Sequence, residues 1–123
     1  MKKHVLNPQR LRKIPPQFSW IDHRLVQENY FTRCDHSSWT LYLFLVSVAD
    51  VQGLSYYSDA SLIRRLKMDE LQLSSSRRQL LHNGLIAYES PLTQVLSLDP
   101  VAPARSGPVS VAEILRQAMG GQP

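Results

Sequence analysis

Residues 58–98 read SDASLIRRLKMDELQLSSSRRQLLHNGLIAYESPLTQVLSL. Ser58 or Asp59 places a side-chain acceptor in front of residues 60–66, where Leu62, Ile63 and Leu66 recur at helical spacing. Lys67-Met68 makes a tight connection. Asp69-Glu70-Leu71-Gln72 then approximates a capping box, with Asp in place of the usual Ser or Thr, and opens a second helix. That helix stops at Asn83-Gly84, because glycine accepts the left-handed conformation that ends helices. Two strands are predicted beyond it, over 85–89 and 94–98, joined by a loop at Ser90-Pro91-Leu92-Thr93.

Upstream, Asp35 precedes the most strongly apolar helix of the chain. Trp39, Tyr42, Leu43, Val46 and Ala49 keep helical spacing, and Leu41, Leu45 and Val48 widen the stripe, so this helix is expected to be buried on most sides. Asp50 to Gly53 ends it, with Gly53 suited to the left-handed cap. Leu54, Ser55, Tyr56 and Tyr57 read as a short strand whose tyrosines pack on the core. Residues 18–31 are too apolar for a free linker and are expected to pack on something. Asp22 suits the cap of a short helix over 23–28, and a strand fits nearly as well. Residues 1–17, with Pro8, Pro15 and Pro16, read as an arm.

After Asp99, residues 100–109 (PVAPARSGPV) read as a linker. Ser110-Val111-Ala112-Glu113 is a capping box ahead of Ile114, Leu115, Ala118 and Met119, so an amphipathic helix is predicted over 110–120. At about ten residues it is too short to be stable alone in water. It must dock on its own domain, on a second copy or on another protein. The expected organisation is arm 1–17, domain 18–99, linker 100–109 and helix 110–120.

The net charge of +4 over 123 residues is unevenly placed. The arm holds five basic residues and no acid, whereas residues 18–99 hold seven basic and nine acidic ones. A basic arm beside a small domain suits nucleic-acid phosphates, or is a solvated leader. No apolar run reaches membrane-spanning length, and a cytoplasmic location is the default. The lone cysteine, Cys34, permits no internal disulfide and reads as a core residue. No cofactor, metal or enzymatic activity is expected. The four histidines lack metal spacing, Ser74-Ser75-Ser76 lacks the glycines of a nucleophile elbow, and no glycine-rich phosphate loop exists.

The ordered set of helix, strand, helix, helix, strand, strand over residues 35–98 resembles the winged helix-turn-helix fold, of class α+β. Asp69, Leu73, Ser76, Leu80 and Gly84-Leu85-Ile86 match the capped third helix and wing start of GntR-like regulators and of the DNA-binding domains of plasmid and phage replication initiators. Leu41-Tyr42-Leu43-Phe44-Leu45 and the Asp50 to Gly53 exit look like the initiator group. The match covers roughly half the chain, and its specificity lies in the order of the motifs.

That resemblance implies double-stranded DNA as partner, with the third helix in the major groove. If Leu73, Ser76 and Leu80 face the core, the 100° step puts Leu71, Ser75, Arg78 and His82 outward, flanked by Gln72, Ser74 and Gln79. Gln72 and Ser75 suit base edges, and Arg78 suits a guanine edge or a phosphate. Arg64, Arg65 and Lys67 suit phosphates, as do Arg10, Arg12 and Lys13 of the arm. His82 fits helix-end carbonyls better than DNA. Arg77 is expected to pack its stem and send its head to solvent. Against DNA stand Glu70 at the helix start and a hairpin loop without Lys or Arg, bordered by Glu89. Leu71 suits a thymine methyl or a protein partner. A winged helix serving as protein adaptor or dimerisation module is the competing expectation.

Overall fold

The computed structural model describes residues 1–98; the expected linker 100–109 and helix 110–120 lie outside the described residues. The fold is α+β, with four α-helices and one three-stranded antiparallel sheet among those residues.

Each helix begins where a short polar side chain satisfies an otherwise unpaired N–H. α1 (Arg24–Gln27) is a single turn. Asp22 accepts the Arg24 N–H at 2.8 Å and ion-pairs with the same arginine's guanidinium, which holds its carboxyl below the usual range. α2 (His36–Val48) starts at Asp35, which accepts the Ser38 N–H at 2.9 Å. β1 (Leu54–Tyr56) leads to α3 (Asp59–Leu66), where Ser58 accepts the Ser61 N–H. Lys67 in left-handed backbone, φ 56°, turns the chain into α4 (Glu70–His82). The Asp69–Gln72 box is complete: Asp69 accepts the Gln72 N–H at 2.7 Å, and the Gln72 amide oxygen accepts the Asp69 N–H at 3.0 Å.

α4 ends in a Schellman motif. Gly84, at φ +70°, donates its N–H to the Leu81 carbonyl, and Leu85 donates to the Leu80 carbonyl at 3.0 Å. This turn delivers Leu85 and Ile86 directly into the core and starts β2 (Ile86–Glu89), which pairs with β3 (Leu92–Val95). The sheet order is β1-β3-β2.

The core gathers Leu25, Tyr30, Leu41, Leu45, Leu62, Leu73, Leu80 and Leu85. α2 and α4 form its most extensive helix contact, and each buries a serine completely. Ser38 donates its hydroxyl to Asp35 at 2.9 Å. Ser76 Oγ has no hydrogen-bond partner among the described residues. A buried hydroxyl without a partner costs about 1–3 kcal/mol. Ser76→Ala is therefore expected to raise stability, by about 1 kcal/mol after the loss of packing, while Ser76→Val overpacks the slot and lowers it by about 1–3 kcal/mol. Chemical denaturation of both variants checks this, and a Ser76→Ala protein less stable than the parent rejects it.

Several expectations are corrected. β3 covers Leu92–Val95 rather than 94–98, because Ser90-Pro91 alone makes the turn and Leu92 already pairs with Glu89. α2 stops at Val48, with Ala49 extended, so Gly53 is not its cap. Gly53 instead sits in a turn organised by the Asp50 carboxylate, which accepts the N–H groups of Gln52 and Leu54 at 2.8 and 2.9 Å. Leu43 faces solvent, since the buried arc of α2 is carried by Leu41, Tyr42, Leu45 and Val46. Tyr56 is exposed, because it lies on the outer face of an edge strand, while Tyr57 packs edge-on against Phe44. Residues 18–21 do not join the core: Phe18, Trp20 and Ile21 are all exposed.

Candidate nucleic-acid interface

α4 is held on three sides, and the fourth is open. Leu73, Ser76 and Leu80 point into the core. On one flank, Gln79 grips the start of α2. Its amide oxygen accepts the Asp35 N–H at 2.8 Å, and its NH2 donates to the Asp35 carboxylate at 2.9 Å and to Ser75 Oγ at 3.2 Å. These bonds, the Gln79 amide first and the Ser38 N–H next, keep Asp35 below the usual carboxylate range. On the other flank, the Arg77 guanidinium lies 2.8 Å from Asp59 at the start of α3 and 4.0 Å from the centre of the Tyr88 ring on β2. Arg77 thus ties α3, α4 and the hairpin together, and its head does not reach solvent as expected, since its side chain is only 13% exposed.

The open face of α4 presents Leu71, Ser74, Arg78, Leu81 and His82, all exposed. Ser75 is half-buried under Gln79. The Arg78 side chain has no hydrogen bond or ion pair among the described residues. The same holds for Arg64 and Lys67, and all three are exposed. Arg65 is exposed too; its Nε donates to Ser61 Oγ at 3.3 Å, and its guanidinium sits 5.6 Å from the Tyr57 ring centre. The last turn of α3, the α3–α4 turn and the outer face of α4 therefore carry four cations with their heads open to a ligand.

Three polar residues of α4 named from sequence have internal roles. Gln79 is committed to Asp35, Ser75 accepts from Gln79, and one end of Gln72 is committed to the capping box. His82 does not bond the helix-end carbonyls. Asn83 does, donating to the Gln79 carbonyl at 2.9 Å, because its shorter amide folds back over the turn. The same amide lies 3.4 Å from the sulfur of Cys34, whose thiol is pushed up by burial. The signal of this cap in the sequence is the Asn directly before the helix-ending Gly. Arg10 is the last residue of a local 3-10 turn capped by Asn7; Arg12 and Lys13 are exposed, and no hydrogen bond or ion pair among the described residues joins these three to α4. The hairpin tip, Glu89-Ser90-Pro91, is exposed and carries only negative charge.

Among the described residues, no helix is long and apolar enough to cross a membrane, and no three His, Cys, Asp or Glu gather as a metal cluster. Comparison with protein-family models, curated proteins and solved structures returned no match.

Proposed function

We propose that this chain is a non-enzymatic DNA-binding protein with a winged helix-turn-helix, acting as a regulator or as an accessory to replication or another mobile-element process. In this reading α2, α3 and α4 are its three helices, and β2 and β3 are its wing. α4 lies in the major groove, Arg78 meets a guanine edge, and Arg64, Arg65 and Lys67 hold phosphates. The observation that carries it is the open set of cations along α3 and α4. In a domain with more acids than bases, four of the five cations outside an ion pair among the described residues, Arg64, Arg65, Lys67 and Arg78, collect beside the exposed face of α4. The arm, with Arg10, Arg12 and Lys13, adds phosphate contacts. The acidic hairpin tip adds little.

Mobility shifts of the intact chain on genomic and random duplexes, with a salt titration, test this reading. Binding that weakens steeply with salt is expected, and no binding at low salt rejects it. Arg78→Ala is expected to weaken the best duplex by about 1–3 kcal/mol and to relax preference at one base pair. A uniform loss across all sequences would instead make Arg78 a phosphate contact. Loss of binding on removing residues 1–17, with Arg78→Ala silent, would make the arm the binder.

A second reading, a protein adaptor, is favoured by Leu71. It is 82% exposed on the same face, and a thymine methyl covers only part of such a side chain.

A further inference from the structure

We propose that the groove beside Trp20 is the seat of this chain's own residues 110–119, docked within one molecule as an amphipathic helix. The groove encloses about 1150 Å³. Residues 16–20 form one wall, the second half of α2 with the 50–53 turn forms another, and the chain leaving β3 closes it. Its apolar lining lacks a cover: Phe18 is 62%, Trp20 71% and Val51 104% exposed. Three large side chains along one groove form a patch that soluble surfaces rarely leave open.

The choice of occupant follows from where the chain goes. Leu98, itself lining the groove, is the last residue described, so the chain continues from the groove wall. Residues 100–109 can span at most about 35 Å, and a ten-residue helix is about 15 Å long. Residues 110–119 can therefore fold back onto the groove without a stretched linker. Ile114, Leu115, Ala118 and Met119 make one apolar stripe in that segment. On a helical wheel, Arg116 lies nearer this stripe than Glu113, which points away. Asp50 on the groove lining has no cationic partner among the described residues, so the nearer charge is the complementary one. A segment too short to persist as a helix alone and a groove with Phe18 and Trp20 uncovered at its tether point meet each other's need.

Nuclear magnetic resonance of the full chain separates the outcomes, because the two tryptophans report differently. Trp39 does not line the groove; it donates its indole N–H to the Phe31 carbonyl at 3.2 Å and serves as an internal control. Expected are Overhauser contacts from the Trp20 ring to the Ile114 or Leu115 methyls. In the Ile114→Asp/Leu115→Asp variant, the Trp20 indole signal is expected to shift while that of Trp39 stays. Val51→Asp, at a residue outside the core, should give the same shift from the other side of the groove. A Trp20 signal unmoved in both variants, without those contacts, overturns the proposal. So does a two-chain mass with Trp20 contacts that vanish on dilution, which gives the groove to a second copy.

Discussion

A protein carrying Arg64→Ala, Arg65→Ala and Lys67→Ala together is expected to bind duplex DNA about a hundredfold more weakly at about 0.15 M salt, with its salt slope shallower by about 2.7. The magnitude comes from counterion release, in which each neutralised phosphate contributes about 0.9 to the slope. These three side chains are exposed, and none is in an ion pair among the described residues. Their removal should therefore leave the fold intact, which a thermal melt of the triple variant checks. Only Arg65 has internal contacts, through Ser61 and the Tyr57 ring, and exposed contacts of that kind contribute at most about 1 kcal/mol. An unchanged salt slope would show that these cations do not meet phosphates, and would leave the outer face of α4 to a protein partner.

Gly53→Ala is expected to lower stability by about 2–4 kcal/mol, whereas Gly84→Ala should cost only about 1 kcal/mol. Both glycines sit at positive φ, +84° and +70°, where an added Cβ is strained. Their surroundings differ. A Cβ on Gly53 would stand 2.5 Å from the Val95 carbonyl oxygen, a backbone atom that cannot swing aside. The same close approach lets the Gly53 carbonyl accept the Val95 N–H at 2.8 Å, so relief of the clash breaks a bond at the edge of the sheet. A Cβ on Gly84 would meet nothing within 4 Å. Urea denaturation of the two variants gives the difference directly, and equal losses would mean that the end of β3 yields freely around residue 95.

What the sequence makes legible here is what neighbours in the chain decide. The Asp35 cap, the Asp69–Gln72 box and the glycine that turns α4 into β2 each involve residues within five positions, and each is in place. The inward trio Leu73, Ser76 and Leu80 is what the winged helix-turn-helix resemblance implies, and all three are buried. The rest needed partners far along the chain. Gln79 looks like a free flank of the outer face until Asp35, 44 residues away, takes both ends of its amide. Arg77 looks solvated until Asp59 and Tyr88 close on its head. The β3 register was hidden because Pro91 reads as loop over several residues, whereas the turn needs only two. Phe18 and Trp20 look like core residues, yet their cover is not supplied by residues 1–98.

On the proposed DNA-binding reading, the grip of Gln79 on Asp35 also limits what the chain can spell. With that amide spent, and with Gln72 half spent, the outer face of α4 keeps a small alphabet: Arg78 for guanine, Leu71 for a thymine methyl, and Ser74, which bonds to almost any base. On the proposed reading, one copy distinguishes few base pairs. Against the many competing positions of a genome, such a short word carries little information. Selection of its target would then come from repetition, two or more short words at fixed spacing read by separate copies, and the preferred sites should look like spaced G- and T-containing repeats rather than one long motif.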